Sequence, residues 1–239
     1  MNFKKAIPFV LCAMIQFGLL VTANAQDDAT GDSASIVVEN ALVAMGGREY
    51  LSTIRTLYTD MSLQTEGKAI HWIKKEMLPN KCVFKVVNND NVVFSQCFNG
   101  SKGFELLNSN KFEQEAEELK DKKKQKNIFP EFDYLNSALW KVEMAGQQKI
   151  NGEDCYRIKV VSHYGNIKYL SYSKKKFYKL AEEIPLNAVQ EKYKTTIYGG
   201  YKKYGKLVYY STMQTDNTSV AKMEKLLTNQ EVSNADFRD

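Results

Sequence analysis

Residues 81–104 read KCVFKVVNNDNVVFSQCFNGSKGF, two apolar runs on either side of a polar tetrad. The tetrad at 88–91 is Asn-Asn-Asp-Asn, and such side chains tolerate the left-handed backbone of a tight turn. The stretch therefore predicts a β-hairpin, and a turn centred between Asn89 and Asp90 places Cys82 opposite Cys97. Apolar residues fall on both faces of its strands, which predicts that both faces meet other apolar material. We expect this hairpin to be one wall of a larger sheet.

The beginning of the chain has the pattern of a secretory signal peptide. Lys4 and Lys5 precede an apolar run at 6–21, and the small residues Ala23 and Ala25 follow it. The run is shorter than the roughly 20 residues that a stable membrane span needs. We therefore expect a leader at 1–25, cleavage before Gln26 and an exported protein without a stable membrane span. An uncleaved anchor is the alternative.

Residues 26–239 are long enough for one single-core domain of the larger all-β type, and one domain is our prediction. Loss of Lys4 and Lys5 with the leader lowers the formal net charge from +5 to +3. This charge is small and evenly spread along the chain. The composition therefore predicts no nucleic-acid partner.

The cysteines allow one disulfide bond in an oxidising compartment. Of the four cysteines, Cys12 lies in the leader, which leaves Cys82, Cys97 and Cys155. The predicted hairpin register makes a cross-strand Cys82–Cys97 bond possible and leaves Cys155 single. The alternative is three buried thiols in a strand-rich core.

Helices are predicted before a long series of strands. Ser33 or Ser35 can cap a helix at 36–45 that Gly46 and Gly47 end, and a second short helix is predicted at 48–54. From Leu57 the apolar period changes to two, and short loops between successive strands indicate antiparallel pairing. Strands are predicted from 57 to 107, apart from their turns, and at 141–145, 155–162, 167–173, 178–184, 193–202 and 207–214. Residues 220–232 fit a helix or a strand, and the topology favours a strand.

The strand pattern breaks between residues 108 and 139. A charged helix is predicted at 112–126, since its acidic start and basic end suit the helix dipole. The stretch 128–140 that follows is rich in aromatic residues, and we interpret it as a flap packed over the sheet. An ordinary helical excursion that closes one end of the core is the alternative.

The sequence contains few residues suited to catalysis. Its two histidines, His71 and His163, have no cysteine or carboxylate at metal-ligand spacing. Nucleophile elbows, phosphate-binding glycine loops and dinucleotide fingerprints are also absent from the sequence. The sequence therefore predicts no cofactor, no metal site and no enzyme.

Three turn motifs carry a resemblance to a known family. They are AMGG at 44–47, FNGSKGF at 98–104 and KINGEDCY at 149–156. Together with the order of predicted elements, the chain resembles the LolA/LolB-like outer-membrane lipoprotein-sorting proteins of Gram-negative bacteria over nearly the whole mature length. Asn99 stands where the family has aspartate and Phe104 where it has tryptophan. These motifs specify a fold much better than an activity.

The resemblance implies an α+β fold in which a long curved antiparallel β-sheet forms an open half barrel with helices on its concave face. It implies a periplasmic, non-catalytic carrier that holds the acyl chains of a lipid or lipoprotein in an apolar cavity. A protein-binding module or envelope-stress sensor, with an envelope protein as its partner and a filled cavity, is the alternative. An enzyme acting on an envelope lipid or glycan is a third possibility.

A ligand-binding wall and a lid can be placed on the sequence from strand parity and aromatic content. Residues in the wall or in the lid would hold an acyl chain through apolar contacts alone. The alternative is that the same residues form the core, because hydrophobic periodicity does not distinguish a lined cavity from a filled one. The predicted wall consists of Phe84, Val86, Val93, Phe104, Leu106, Tyr156, Ile158 and Val160, and the predicted lid of Phe129, Phe132, Leu135 and Trp140.

Overall fold

The structure, a computed structural model, describes residues 33–65, 67–107, 110–187, 192–216 and 218–238. All elements given below belong to one compact unit, Asp32–Asp239. The predicted leader at 1–25 and its cleavage before Gln26 lie outside the described residues and stay predictions.

The described chain contains four short α-helices, a C-terminal 3-10 helix and a long series of strands. The helices are α1 Ala34–Met45, α2 Arg48–Ser52, α3 Lys120–Lys124 and α4 Pro130–Tyr134, and the 3-10 helix is Asn234–Phe237. The strands are β1 Thr56–Thr65, β2 Lys68–Met77, β3 Lys81–Asn88, β4 Asn91–Phe98, β5 Gly103–Leu107, β6 Asn110–Glu113, β7 Trp140–Ile150, β8 Glu153–Ser162, β9 Ile167–Ser173, β10 Lys179–Asn187, β11 Lys192–Gly199, β12 Lys202–Tyr204, β13 Leu207–Tyr209, β14 Thr212–Thr215 and β15 Ala221–Thr228.

Thirteen strands form one antiparallel sheet in the order β6-β5-β4-β3-β2-β1-β15-β14-β11-β10-β9-β8-β7. Two meanders, β1 to β6 and β7 to β11, form its halves, and β15 and β14 join them at the centre. The sheet is open, because β6 and β7 are its edges. The segment at 220–232, which fits a helix or a strand by sequence, forms strand β15 over most of its length, as predicted.

Helix α1 lies on the concave face and connects the two halves of the sheet. Ser33 caps its first turn, and the amides of Gly46 and Gly47 close its last turn on Val43 and Leu42. The C-terminal half of α1 packs with β1, β2 and β15, while its N-terminal half packs with β8, β9 and α4. The predicted α+β open half barrel with helices on its concave face is therefore confirmed.

The β3–β4 hairpin forms as predicted, but its register changes within the strands. Asn89 and Asp90 have φ values of 47° and 62°, the left-handed turn that their side chains tolerate. Val87 lies opposite Val92 as predicted, whereas a β-bulge beyond it places Cys82 opposite Phe98. The predicted Cys82–Cys97 pairing is therefore wrong, and the structure forms no disulfide bond between them.

The segment after β5 differs from its prediction. Residues 110–113 form edge strand β6 on β5, and only Lys120–Lys124 are helical, so the helix predicted at 112–126 is wrong over most of its length. Its charged residues offer few apolar anchors for packing, whereas β5 presents a free edge for backbone pairing. Sheet pairing therefore overrides the helical charge pattern here.

Candidate functional site

The concave face of the sheet borders an open cavity of about 1050 Å³. Four parts of the chain enclose it: β2, the segment from Glu118 to the start of β7, the segment from Gly165 to β11, and Tyr209 with Tyr210 at the end of β13. Its walls mix charged, aromatic and apolar side chains. Among them are Lys74, Glu76, Lys122, Ile128, Asp133, Tyr134, Trp140, Lys168, Lys179, Glu182, Ile184, Tyr198, Tyr209 and Tyr210.

One side of the cavity carries a buried network of lysines and carboxylates. The Lys179 ammonium lies 3.4 Å from Glu131, whose side chain is only 3% exposed, and 3.9 Å from Glu182. Lys168 lies 3.4 Å from Glu182, and the Tyr172 hydroxyl donates a 3.1 Å hydrogen bond to Glu131. Each buried charge here therefore has an opposite charge or a hydrogen bond near it.

The network shifts the pKa values of Lys179 and Glu182 in the directions expected for paired charges. Burial on its own lowers the pKa of Lys179, but the negative charges of Glu131 and Glu182 outweigh it and raise the pKa well above its ordinary value. Burial raises the pKa of Glu182, but the charges of Lys168 and Lys179 outweigh it and lower the pKa below 4.5. The lysines and Glu182 are therefore ionised at neutral pH.

A second pair of lysines lies at the β2 side of the cavity. Lys74 forms a 2.8 Å ion pair with the buried Glu76, while 44% of the Lys74 side chain stays exposed. The Lys122 ammonium donates a 2.8 Å hydrogen bond to Gln125, and no described carboxylate lies within 4.0 Å of it. Burial lowers the pKa of Lys122, and the positive charge of Lys74 adds to this effect. An anion placed between the two ammonium groups would relieve both effects.

Tyrosines in ring contact with one another line the cavity. The ring of Tyr210 lies 4.3 Å from that of Tyr209 and 4.8 Å from that of Tyr198, between ring centroids. Tyr209 meets Phe129 edge to face at 6.5 Å on the core side. Stacked tyrosines supply a rigid apolar surface and keep hydroxyl groups for hydrogen bonding.

Two buried donors at the cavity wall have no hydrogen-bond partner among the described residues. They are the indole N–H of Trp140 and the hydroxyl of Tyr134, whose rings meet edge to face at 5.3 Å. The Lys168 ammonium lies 5.9 Å from the centre of the Tyr134 ring and can donate to the Tyr134 oxygen, which leaves the O–H of Tyr134 without an acceptor. A buried donor without a partner costs free energy, so both groups favour an acceptor inside the cavity.

Beyond Lys74 the concave face carries a row of large apolar side chains. Gln96 and Glu105, joined by a 3.0 Å hydrogen bond, lie on the same face between Phe84 and Phe112. Trp72 and Phe84 meet at 6.4 Å, and Phe84 and Phe94 at 6.3 Å, between ring centroids. Strand register places Leu107 and Phe112 on the same face, where they are 51% and 56% exposed. We call Trp72, Phe84, Phe94, Leu107 and Phe112 the aromatic strip. It crosses the sheet from β2 to the edge strand β6.

Solved structures of other proteins have a similar fold. By sequence the chain matches no protein-family model and no curated protein. By structure it is similar to a DUF1329 family protein from Desulfovibrio piger, with a TM-score of 0.58, 12% identity and coverage of 87% of this chain and 98% of that one. A LolA superfamily protein from Nitrosomonas europaea aligns with a TM-score of 0.54, 9% identity and coverage of 87% and 99%. The chain has a LolA-like fold.

A further similar structure is a domain from Vibrio parahaemolyticus described as an outer membrane lipoprotein-sorting protein. It aligns with a TM-score of 0.51 and 12% identity, over 85% of this chain and 95% of that one. At such identities the likeness establishes the fold alone. It confirms, at that level, the LolA-like resemblance that the turn motifs predict.

The LolA-like sheet divides the predicted wall residues between its two faces. Phe84 and Val86 lie on the concave face, since they pair with Lys74 and Trp72 across β2. Phe104 pairs with Cys97, and Leu106 with Ser95, which puts both on the opposite face. The continuous wall predicted through these four residues is therefore wrong. The physical reason is the bulge, which shifts the register of β4 and β5 by one residue.

The other predicted residues divide between the cavity, the core and the surface. Trp140 lines the large cavity, and Phe129 lines a small one of about 30 Å³ beneath it. Ile158 and Val160 are fully buried in the core cluster around α1, and Val93 is 37% exposed at the bulge. Partly buried against the core clusters are Phe132, Leu135 and Tyr156. A ligand-binding role for these residues stays a prediction.

Sequence reasoning missed the charged residues of the cavity. Lys74 lies two residues after Trp72 on β2, and Lys168 lies two residues before Leu170 on β9. Residues two apart share a strand face, so each lysine points inward like its apolar neighbour. A search for apolar periodicity passes over such residues. Their signal is a charge two residues from an apolar residue that faces inward, as Lys74 is from Trp72 and Lys168 from Leu170.

Two other kinds of feature, a metal centre and a membrane-spanning helix, are absent from the described residues. No group of three or more metal-ligating side chains occurs among them, and their helices are all too short or too polar to cross a membrane. His71 lies 2.8 Å from Asp60 across the β1–β2 ladder. This pair lies apart from the residues that line the cavity.

Proposed function

We propose that this protein is a non-catalytic periplasmic carrier that holds a lipid-like amphiphile in its concave cavity. The observation that carries the proposal is the open cavity of about 1050 Å³ on the concave face of a LolA-like sheet. Pockets that bury most of a small organic ligand have volumes of about 300–1,000 Å³. The space is therefore sufficient for a lipid headgroup together with part of its acyl chains.

The cavity walls favour an amphiphile over a purely apolar chain. A hydrocarbon placed against Lys74, Lys122 and Glu182 would remove water from charged groups and offer them nothing in return. The unpartnered Trp140 and Tyr134 donors favour a ligand that carries acceptor oxygens. The aromatic strip, by contrast, suits an acyl chain. Polar and apolar binding surfaces thus adjoin on one face.

The periplasmic location rests on the predicted leader at 1–25. The similar domain from Vibrio parahaemolyticus, described as lipoprotein-sorting, supports a lipid or lipoprotein ligand for this fold. The alternative of a protein-binding module requires a cavity filled by the chain's own side chains. The open volume supports the carrier instead.

Native mass spectrometry of the exported protein tests the proposal. We expect a lipid adduct after gentle extraction, and exchange of this adduct when a phospholipid is added. Trp140→Phe removes one unpartnered donor and should weaken lipid retention severalfold while circular dichroism stays unchanged. Tyr58→Phe, at a site outside the cavity lining, is the matched control. A protein that neither retains nor takes up lipid would contradict the carrier function.

A further inference from the structure

Lys74 and Lys122 have the features of a site for an anionic group. Both line the cavity. Burial is the main cause that lowers the pKa of Lys122, and the positive charge of Lys74 adds to it. An ammonium has three N–H donors, and the ion pair with Glu76 uses one of those of Lys74. The hydrogen bond to Gln125 likewise uses one donor of Lys122. Donors therefore remain on both groups.

Nearby carboxylates do not block this site. Glu76 is already paired with Lys74 and is 8% exposed. Asp133 accepts hydrogen bonds from the backbone N–H groups of Lys126 and Asn127 and from the Asn127 side chain. Asp121, next to Lys122, accepts a 2.7 Å hydrogen bond from the Asn166 side chain, and Glu118 is the other carboxylate in this part of the cavity lining. Glu76, Asp133 and Asp121 are thus occupied by contacts within the protein. Lys122 has no carboxylate within 4.0 Å among the described residues.

The aromatic strip begins beside this pair of lysines. Phe84 is the cross-strand partner of Lys74, and Trp72 lies two residues before Lys74 on the same strand face. From β2 to β6 the strip crosses four inter-strand spacings, about 19 Å at about 4.8 Å each. One leaflet of a bilayer has about 15 Å of hydrocarbon, half of its roughly 30 Å core. The strip is therefore long enough for one phospholipid acyl chain.

We propose that the ligand is an anionic phospholipid, with its phosphate between Lys74 and Lys122 and one acyl chain along the aromatic strip toward β6. This inference rests on the proposed carrier function. A phosphodiester has two free oxygens, one for each ammonium group. A zwitterionic phospholipid brings its own ammonium group next to the phosphate and so into repulsion with both lysines. The lysine pair therefore selects for net negative charge.

Intrinsic fluorescence provides the assay, because Trp72 belongs to the strip and Trp140 lines the cavity. The probes are short-chain phosphatidylglycerol and phosphatidylethanolamine with the same acyl chains, titrated below their micelle concentrations. Wild-type protein should bind phosphatidylglycerol about tenfold more tightly. The double variant Lys74→Gln, Lys122→Gln should lose about tenfold or more in affinity for phosphatidylglycerol, and little for phosphatidylethanolamine. Lys85→Gln is the matched control, since Lys85 follows Phe84 and faces the other side of β3.

The acyl-chain path has a test of its own. Phe94→Ala should weaken the binding of both lipids to a similar extent, and Val92→Ala, a truncation at a 41% exposed residue of the same strand, should not. Thermal melts of each variant establish that it is folded.

The outcomes separate the inference from the proposed function. Equal affinity of wild-type protein for the two lipids, or an unchanged affinity in the double lysine variant, overturns the headgroup site and leaves the carrier standing. An unchanged affinity in Phe94→Ala overturns the acyl-chain path. Binding of neither lipid by the wild-type protein overturns both the inference and the carrier function. If the protein binds anionic vesicles but takes up no lipid, the lysine pair belongs to a membrane-docking surface, and the proposed phospholipid site is overturned.

Discussion

Substitution of Lys179 by methionine should destabilise the fold more than any other change of a single cavity charge. The side chain is 16% exposed and its ammonium lies 3.4 Å from Glu131, which is 3% exposed. Coulomb's law gives about 5 kcal/mol for this pair at an effective dielectric constant of about 20. Methionine keeps most of the packing of the lysine stem and removes only the charge. The variant therefore leaves the Glu131 carboxylate buried with the Tyr172 hydroxyl as its remaining partner.

Removal of one partner from a buried ion pair costs about 3–5 kcal/mol. For a chain of this length each kcal/mol lowers the melting temperature by about 2–4 °C, so Lys179→Met should lower it by roughly 6–20 °C. Urea denaturation followed by circular dichroism gives the free energy of unfolding directly. Glu131→Gln combined with Lys179→Met removes both charges. This double variant should recover much of the loss, because no uncompensated charge remains.

Lys102→Met is the matched control, since Lys102 forms a 3.1 Å ion pair with Glu113 in which both side chains are more than half exposed. Its melting temperature should equal that of the wild type within error. A free energy of unfolding for Lys179→Met within about 1 kcal/mol of the wild type would refute the buried-pair argument. So would a double variant no more stable than Lys179→Met alone.

Three further changes test other parts of the structure. The folded-state pKa of Glu182 lies below its ordinary 4.5, so the ionised carboxylate stabilises the fold above pH 4.5, and this stabilisation is lost as the pH falls through the folded pKa. Acid titrations followed by circular dichroism should therefore show that the stability of Glu182→Gln falls less steeply below pH 4.5 than that of the wild type. Asp236→Ala removes a 2.5 Å ion pair with Lys75 and a capping box, and should cost about 1 kcal/mol in urea denaturation. Gly46→Ala combines a φ of 138° with a new Cβ 2.9 Å from the carbonyl oxygen of Lys206, so its melting temperature should fall by several degrees; an unchanged value would show that this approach relaxes freely.

Local signals in the sequence were sufficient for most of the fold. A left-handed turn at Asn89 and Asp90, a serine cap at Ser33 and a glycine stop at Gly46 each depend on the conformational preference of one or two residues. Alternation of apolar residues then identified most of the strands. Short loops forced neighbouring strands into antiparallel pairs, so the meander order followed without knowledge of any long-range contact.

The bulge between Val86 and Val87 is the kind of feature that sequence reasoning could not supply. One extra residue in a strand moves every later side chain to the opposite face, because side chains alternate with a period of two. Phe104 and Leu106 changed faces for this reason, and Cys82 and Cys97 lost their predicted pairing. No turn residue or change of periodicity marks the position. Only the packing of both faces against their neighbours decides it.

Charged residues on the inward face distinguish an open cavity from a filled core, which apolar periodicity does not. A lysine buried in a packed core costs several kcal/mol unless it is fully paired, so an inward lysine with a single carboxylate partner is stable where solvent or a ligand reaches its remaining donors. Lys74 lies between Trp72 and Glu76 on the inward face of β2, and 44% of its side chain is exposed. A strand face with aromatic and charged residues in adjoining inward positions therefore has the composition that binding of an amphiphile requires. The charged inward residues of β2 also indicate that the open cavity lies on this face of the sheet.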